Sequence, residues 1–426
     1  MIEIQVIRNN GADVIERLRT KNFDASSIVS RLLDVDSDRR QTTKQLDDLL
    51  AEGKLLAKKI GELYQQGNAG EAGILKERSA LLKAQSKELQ DTLDALTTEQ
   101  DELLVQLPNL PHESVPAGTT PDDNEVVLRE GKVPVLDDNA VPHWDLARLY
   151  DLVDFELGTK ITGAGFPVYK GQGAKLQRAL IAFFLDEAVA AGYTEFQPPL
   201  LVNEASAFAT GQLPDKDGQM YFVPIDKLYL IPTAEVPVTN FYRDIILDES
   251  ELPVKSTAYS SCFRREAGSY GKDVRVLNRL HQFDKVEIVQ IAHPEKSYLV
   301  LEEMVSHVTG LLRKLELPFR IVRLCGGDMS FASALTYDME VYSAAQQRWL
   351  EVSSISNFET FQSNRMKLRF RSADGKNTLA HTLNGSALAL PRIVAALLEN
   401  NQSGDGIGIP EALRPYTHFD RITKAG

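Results

Sequence analysis

The chain has 426 residues, of which 43% are hydrophobic and 25% are charged, and its formal net charge is −13. This length allows two or three domains, and the acidic balance argues against a general nucleic-acid binder, although a local basic patch can still contact RNA. Its two cysteines, Cys262 and Cys325, provide neither a disulfide framework nor the spacing of a structural zinc site. No apolar stretch reaches membrane-spanning length and no signal peptide is recognisable, so we expect a soluble, cytoplasmic protein without membrane contact.

The N-terminal part is dominated by two heptad patterns that follow a short predicted strand and helix. One pattern comprises Ile28, Leu32, Val35, Leu46, Leu49, Leu56, Ile60 and Leu63, and the other comprises Leu75, Leu82, Leu89, Leu96 and Leu103. Such repeats predict a coiled-coil seam, which is weakened where Arg39, Thr42 and Gly53 occupy seam positions. Glycines within residues 67–73 predict the turn between the two helices. The result is an antiparallel α-helical hairpin over about residues 28–107, roughly 55 Å long at 1.5 Å per residue.

The charges of this predicted hairpin, or arm, are unevenly distributed. Residues 54–87 carry seven cations and three acids, a balance of +4, whereas the remainder of the arm carries four cations and twelve acids, a balance of −8. A basic distal half predicts contact with a polyanion, although an ordinary solvated helix surface remains the alternative. The cations that we expect to contact this polyanion are Lys54, Lys58, Lys59, Lys76 and Lys83.

A proline-rich segment, residues 107–118, ends the arm and predicts a boundary between residues 1–110 and residues 111–426. Residues 127–157 offer no recognisable chemistry. Beyond them we expect a helix over residues 173–191 and a strand over residues 194–202 whose two prolines place it at a sheet edge. Further strands are predicted, including one over residues 361–372, and a helix follows the last strand. Many strands with helices outside strict alternation predict an α+β fold on a mainly antiparallel sheet.

Residues 262–289 are the stretch in which we expect the chemistry, because they read as two strands joined by a polar loop. Period-two alternation places Arg264 and Glu266 on one face of the first strand, and Arg279, Phe283, Lys285 and Glu287 on one face of the second. Guanidinium groups bind phosphate, an aromatic ring stacks on a base and a carboxylate accepts an ammonium or an exocyclic amine. An exposed hairpin with cross-strand salt bridges is the alternative.

These motifs together resemble the class II aminoacyl-tRNA synthetases, and within them the seryl-tRNA synthetase family, over essentially the whole chain. Residues 163–202 are similar to motif 1, a dimer element; residues 263–266 and 279–287 are similar to motif 2, and the helix led by Arg392 is similar to motif 3. The N-terminal hairpin and the segments at 233–235, 351–354 and 384–386 resemble the serine branch. The resemblance implies a homodimeric class II catalytic domain of antiparallel sheet, preceded by a tRNA-binding arm. It also implies ligation of L-serine to tRNA(Ser) through a seryl-adenylate, with tRNA(Sec) left open as a second substrate.

By this resemblance, ATP is bound by Arg264, Arg265, Glu266, Arg279, Phe283, Glu351, Val352, Ser353, Ser354 and Arg392. Arg264, Arg392 and Glu351 are the implied catalytic residues, and Glu351 with Ser354 are the implied Mg²⁺ ligands beside the ATP phosphates. Arg265 departs from the family pattern, where a small residue is common, and strand alternation directs it to the opposite face. Pro391 also departs from the pattern, but proline is tolerated in a first helical turn.

The resemblance assigns serine to a pocket formed by Thr233, Ala234, Glu235, Glu287, Asn384 and Ser386, with Glu287 receiving the ammonium. Buried groups that await a hydroxyl reject alanine strongly, whereas the extra methyl of threonine is excluded by steric fit alone. We interpret His281 as structural, because the serine carboxylate is already the nucleophile, and both cysteines as buried. The polar loop of residues 267–278 is expected to contact ATP or the tRNA acceptor end. A carrier-protein ligase and a non-catalytic relative are the rival hypotheses.

Overall fold

A computed structural model describes residues 1–137, 139–266 and 277–424. Within them the chain forms two compact units: one comprises Met1–Arg19 and Phe23–Pro108, and the other comprises Thr20–Asn22 and residues from Asn109 onward. No helix of the described ranges has the length and apolar character needed to cross a membrane. Most of the loop of residues 267–278, for which we expected contacts with ATP or tRNA, lies outside the described residues.

The first unit contains three helices, α1 (Ile4–Arg19), α2 (Ser26–Gln65) and α3 (Ala69–Leu104). The predicted opening strand is wrong, because helix begins at Ile4. The predicted turn is also too long: Gly70 and Gly73 lie inside α3, and only three residues separate the two long helices. An added Cβ at either of these glycines would meet no neighbouring atom, so neither helix position requires glycine.

The seam between α2 and α3 follows the predicted heptads. Leu32, Val35 and Leu46 of α2 and Leu82 of α3 are buried, and Thr42 is buried with them at its seam position. Outside this stretch the seam residues are only partly covered. Sequence periodicity therefore located the arm and its contact face, since α-helical repeats are set locally.

The second unit is built on an eight-stranded sheet with smaller sheets and helices around it. Its helices are α4 (His143–Leu149), α5 (Phe155–Ile161), α6 (Gly171–Ala190), α7 (Glu204–Thr210), α8 (Glu235–Asn240), α9 (Ser297–Lys314), α10 (Thr360–Met366), α11 (Leu390–Asn400) and α12 (Arg414–Thr417). Its strands are β1 (Glu125–Glu130), β2 (Val153–Asp154), β3 (Val168–Tyr169), β4 (Thr194–Phe196), β5 (Leu201–Asn203), β6 (Phe222–Val223), β7 (Leu228–Leu230), β8 (Ile246–Asp248), β9 (Val254–Phe263), β10 (Gln282–Ala292), β11 (Phe319–Arg323), β12 (Leu335–Ser343), β13 (Arg348–Asn357), β14 (Arg369–Arg371), β15 (Asn377–Leu379), β16 (His381–Ala389), β17 (Gln402–Ser403), β18 (Gly406–Gly408) and β19 (Arg421–Ile422).

The strands of the large sheet follow the order β1-β11-β12-β13-β16-β10-β9-β4. Every neighbouring pair is antiparallel except β4 and β9, which are parallel. The predicted α+β fold on a mainly antiparallel sheet is therefore confirmed. The main hydrophobic core includes residues of α6, α9 and α11 together with alternate residues of the central strands, such as Val286 and Ile288 of β10. Lys285, Glu287 and Val289 alternate with these core residues and so face the opposite side of the sheet.

Two predicted strands have a different structure. The strand expected over residues 194–202 is divided at its prolines: β4 lies at the edge of the large sheet, and β5 belongs to a small three-stranded sheet. Residues 361–372 form most of α10 followed by the short strand β14. This segment has strand-like alternation, but Phe361 and Met366 of α10 are both buried, and tertiary burial overrides the local pattern.

Candidate active site

Strand β10 lies at the centre of the candidate active site, between β9 and β16. Glu287 of β10 is opposite Ala258 of β9 and opposite Ser386 of β16. Phe283, Lys285 and Glu287 share one face because strand side chains alternate. The predicted aromatic, cation and carboxylate are thus aligned along one strand.

The remaining hairpin residues lie beyond the strand ends. β9 ends at Phe263 and β10 begins at Gln282, so Arg264, Glu266 and Arg279 are not strand residues, contrary to the sequence interpretation. Glu266 has a φ of 48°, which breaks the expected alternation. Its carboxylate nevertheless reaches the guanidinium of Arg279, with Oε2 3.4 Å from Nε.

The carboxylate of Glu287 is buried and has two side-chain partners on one oxygen. The Thr233 hydroxyl donates to Oε2 at 2.8 Å, and the Lys285 ammonium forms an ion pair with the same atom. Only 2% of the Glu287 side chain is exposed. A buried carboxylate stays ionised only when such donors compensate for lost hydration, so this arrangement prepares a fixed negative charge.

Glu235 is a second buried carboxyl near this charge. Burial raises the pKa of Glu235 to about 7, and the neighbouring Glu287 carboxylate adds to the rise, while Gln362 and Lys285 oppose it. The Gln362 amide donates to Glu235 Oε1 at 2.8 Å, and the Glu235 backbone N–H donates to the Thr233 hydroxyl at 3.2 Å. The pocket therefore pairs one ionised carboxylate with one whose charge changes near neutral pH.

The other residues predicted to bind serine line the same strands. Asn384 and Ser386 of β16 are buried, and the carbonyl of Ser386 accepts a hydrogen bond from the Ser353 hydroxyl at 2.6 Å. Ala234 is fully buried in a small apolar cluster that includes Val289, so its side chain is occupied by packing. Ala234 can therefore contribute only backbone groups to a ligand.

Arg264 and Phe283 are in contact. The guanidinium carbon of Arg264 lies 5.2 Å from the centroid of the Phe283 ring, and its Nε donates to the Pro232 carbonyl at 3.4 Å. The Arg264 backbone N–H donates to the His281 carbonyl at 2.9 Å, and the His281 Nδ1 atom lies 3.1 Å from the Arg264 carbonyl oxygen. Since a carbonyl oxygen can only accept, the His281 ring holds the backbone that carries Arg264.

Arg265 is separated from this contact. Its side chain is exposed, and its backbone N–H donates to the carbonyl of Gln219 at 2.9 Å. That the Arg265 side chain faces away from Arg264 and Phe283 stays a prediction.

Arg392 of α11 contacts the segment expected to bind Mg²⁺ and the segment that precedes Arg279. Its Nη1 donates to the Glu351 carbonyl at 2.6 Å and lies 3.6 Å from the Glu351 carboxylate, while its Nε donates to the Asn278 carbonyl at 3.1 Å. Arg392 of motif 3 therefore contacts the residue that directly precedes the second part of motif 2. Pro391 occupies the first turn of α11, as proposed from the sequence.

The four residues of the predicted segment 351–354 have different surroundings. Val352 lies in the main hydrophobic core, and the hydroxyl of Ser353 is engaged by β16, so neither side chain is available to ATP. Ser354 is opposite Asp338 of β12. Burial and the nearby Glu351 carboxylate hold the pKa of Asp338 well above its usual range.

Three residues of the site or its surroundings were missed as functional candidates. Lys285 was recognised on the correct face, but no pattern indicated that it would pair with Glu287. The sequence pattern predicts a strand at Gln362, and a strand there gives no reason to expect the hydrogen bond that Gln362 makes to Glu235 from α10. His143 lies in the segment to which we assigned no chemistry, and its partners are distant in sequence.

The arm lysines form a separate candidate site in the first unit. Lys54, Lys58 and Lys59 of α2 and Lys76 and Lys83 of α3 are all exposed. Both cysteines, by contrast, are buried and free, as predicted.

Comparisons with known proteins agree with both units. A family model for the tRNA synthetase class II core domain (G, H, P, S and T) matches residues 223–401, and one for the seryl-tRNA synthetase N-terminal domain matches residues 1–111. A serine-tRNA ligase of Salinibacter ruber is 51% identical over 99% of each chain. The crystal structure of a Pyrococcus horikoshii seryl-tRNA synthetase complexed with ATP is 32% identical, covers 100% of both chains and has a TM-score of 0.93. A cytoplasmic serine-tRNA ligase of Naegleria fowleri in complex with AMP covers 100% of this chain at 26% identity, with a TM-score of 0.88.

The antiparallel sheet and its motif residues define the catalytic core of a class II aminoacyl-tRNA synthetase. Relatives named for serine match almost the full length, and the N-terminal helices match the corresponding domain of the same enzymes. The chain belongs to the seryl-tRNA synthetase family. Members of this family ligate serine to tRNA in two steps, of which the first consumes ATP, so the predicted enzyme class is confirmed.

Proposed function

We propose that this chain activates L-serine with ATP and transfers it to the 3′-terminal adenosine of tRNA(Ser), through the residues described below. The observation that carries the proposal is the buried Glu287 carboxylate, held by Thr233 and Lys285, on the strand that also presents Phe283 to Arg264. The middle of this strand offers a charge for an ammonium, and its first residues offer a stacking ring beside a phosphate-binding cation.

In the first step, a carboxylate oxygen of serine attacks the α-phosphorus of ATP, and the bond to the leaving pyrophosphate breaks. Arg264 binds the α-phosphate, Arg392 binds the γ-phosphate and Arg279 lies beside the triphosphate. Phe283 stacks on adenine while Glu266 accepts from its amine. Fixed cations around developing phosphate charge are the main source of catalysis in such transfers, and no covalent enzyme intermediate is needed.

In the second step, the 3′-hydroxyl oxygen of tRNA attacks the serine carbonyl carbon and AMP leaves. The pocket must hold the serine through both steps. Glu287 binds its ammonium, and Thr233, Glu235, Asn384 and Ser386 surround its carboxylate and hydroxyl. Their burial supports discrimination, because alanine would leave buried polar groups without a partner.

Glu351 and Ser354 are proposed to hold Mg²⁺ together with phosphate oxygens of ATP. The donor set fits a hard cation, and Oδ1 of Asp338, opposite Ser354, is buried without a hydrogen-bond partner. Among the described residues no group of three or more His, Cys, Asp or Glu could hold a metal, which fits an ion that shares ATP oxygens. When bound, Mg²⁺ neutralises phosphate charge.

The arm is proposed to bind tRNA through Lys54, Lys58, Lys59, Lys76 and Lys83, and tRNA(Sec) stays an alternative second substrate. The exposure of these lysines on two neighbouring helices supports contact with a phosphate backbone. Residues 1–110 form the proposed tRNA-binding domain, and residues 111–426 form the proposed catalytic domain.

Homodimer formation and cytoplasmic residence complete the proposal. β4 lies at the edge of the large sheet, and exposed Leu200 and Leu201 follow it beyond the two prolines. An edge strand next to exposed apolar side chains supports pairing with a second copy of the chain. Both cysteines are free thiols, which fits a reducing compartment.

Serine-dependent exchange of pyrophosphate into ATP, measured beside tRNA charging, tests the proposed function. We expect exchange with serine and at least a hundredfold less with alanine. A site whose groups bind a hydroxyl discriminates against substrates that lack one by larger factors than this. Exchange that is faster with alanine or glycine would instead favour a ligase for another acceptor.

A further inference from the structure

A buried polar cluster lies beside the candidate site in residues that have no assigned role. His143, the first residue of α4, and Glu399 of α11 are both fully buried, with the His143 Nδ1 atom 2.7 Å from Glu399 Oε1. The His143 backbone N–H also donates to this oxygen, at 2.9 Å. Gln346 donates to Oε1 at 2.9 Å, and the Ser343 hydroxyl donates to Oε2. These donors compensate for the burial of a carboxylate.

The second nitrogen of the His143 ring holds the backbone of the candidate site. The Leu277 N–H donates to His143 Nε2 at 3.2 Å. Because an N–H group can only donate, Nε2 carries the lone pair, and Nδ1 therefore carries the proton donated to Glu399. The Glu399 carboxylate and the Leu277 N–H thus select one tautomer of the imidazole, while the Gln346 amide nitrogen, 3.3 Å from Nδ1, directs its two hydrogens to Glu399 Oε1 and the Ser343 hydroxyl. Protonation of the ring would place two N–H groups against each other at Leu277.

The next residue, Asn278, joins the same cluster to Arg392. Its carbonyl accepts from Arg392 Nε at 3.1 Å, and its amide donates to Gln346 Oε1 at 3.2 Å. Arg392 and Glu399 are seven residues apart on α11, close to two turns, so they lie on the same helix face about 10 Å apart. One face of α11 therefore contacts Asn278 directly through Arg392 and reaches Leu277 through His143, the partner of Glu399.

We propose that His143 and Glu399 form a positioning pair for ATP. They hold the backbone at Leu277 so that Arg279, two residues further on, and Arg392 converge on one nucleotide. Neither member of the pair contacts the substrate in this proposal. The inference rests on the proposed function, since it concerns the geometry of the site that binds ATP.

Two substitutions of His143 separate positioning from simple core packing. His143→Gln retains an acceptor near the place of Nε2 and so can bind the Leu277 N–H, but it loses the donor to Glu399. His143→Asn retains a donor near the place of Nδ1 but cannot reach Leu277. Each variant removes one buried hydrogen bond, so a purely structural histidine predicts similar consequences for both.

The experiment measures KM for ATP, KM for serine and kcat in serine-dependent exchange, with unfolding by urea alongside. We expect His143→Asn to raise KM for ATP roughly tenfold, the effect of losing about one hydrogen bond, with serine KM within about twofold of wild type. The KM of His143→Gln for ATP should stay within about threefold of the wild-type value. Equal effects of the two variants, or parallel changes in both KM values, would overturn the positioning role.

Gln346→Ala provides a second test that leaves the buried histidine in place. It removes the acceptor of the Asn278 amide and also one donor to Glu399, and we expect KM for ATP to rise about threefold with serine KM unchanged. An unchanged KM for ATP in this variant and in His143→Asn would refute the inference. Absence of exchange in the wild-type chain would instead overturn the proposed function, and the inference with it.

Discussion

Lys285 and Glu287 form an ion pair across two positions of the same strand, with only 9% and 2% of their side chains exposed. The two side chains pair with each other without a ligand. The negative charge of Glu287, which we expect to contact the serine ammonium, is therefore already balanced within the protein. Removal of one member leaves the other as an uncompensated buried charge, which is far more costly than the loss of an exposed pair.

Lys285→Met is therefore expected to destabilise the second unit by about 3 kcal/mol. Urea unfolding followed by tryptophan fluorescence measures this, because Trp144 and Trp349 both belong to that unit. Lys376→Met is the matched control: Lys376 pairs with Asp374 while 81% exposed, and its loss should cost below about 0.5 kcal/mol. Similar losses in both variants would show that the Lys285 pair contributes little.

Arg264→Ala should reduce serine-dependent exchange by about three orders of magnitude while lowering stability by less than about 1 kcal/mol. The rate falls because the variant lacks the cation that we place at the α-phosphate. Stability changes little because the Arg264 side chain is only partly buried. Arg265→Ala is the control, since the Arg265 side chain is exposed and we expect it to face away from ATP, and its exchange rate should stay within about twofold of wild type. A near-normal rate in Arg264→Ala would refute the phosphate role.

The Glu235 carboxyl predicts a pH dependence of stability. Its pKa rises from 4.5 to about 7 in the folded protein, so between these values the unfolded chain releases a proton that the folded chain retains. The contribution of Glu235 is therefore fully present below pH 4.5 and is lost as the pH rises towards 7. At 1.36 kcal/mol per pKa unit, this loss is about 3 kcal/mol.

Glu235→Gln removes this titration and retains the shape of the side chain. The stability of the variant relative to wild type should increase by about 3 kcal/mol from pH 4.5 to above 7, as measured by urea unfolding at several pH values. Glu302→Gln, at an exposed position of α9, should show a constant difference. A constant difference for Glu235→Gln as well would mean that its carboxyl is ionised throughout this range.

The double variant Lys58→Ala/Lys59→Ala should weaken tRNA charging but leave exchange unchanged, because we assign the arm to tRNA binding and not to adenylate formation. The slope of log affinity for tRNA against log salt should become shallower by about 2, close to one unit per lost phosphate contact. Arg40→Ala/Lys44→Ala removes two exposed cations from the acidic half of the same helix and should have little effect. Equal losses in the two variants would argue against a basic distal site.

Local periodicity in the sequence determined the features that depend on near neighbours. Seven-residue repeats located α2 and α3 because helix faces recur at fixed short intervals, and Leu32, Val35 and Leu46 are buried accordingly. Strand alternation placed Phe283, Lys285 and Glu287 on one face for the same reason. The family motifs added the class of enzyme, which the comparisons confirmed.

Only the tertiary structure decided which distant residues meet. Thr233 donates to Glu287 across 54 residues of sequence, and His143 contacts Glu399 across 256, separations at which no helical or strand period carries information. The same long-range packing buries Glu235 and raises its pKa, and it folds residues 360–366 into helix against a strand-like pattern. Burial and electrostatic environment are properties of the assembled chain, because they depend on all neighbouring groups at once.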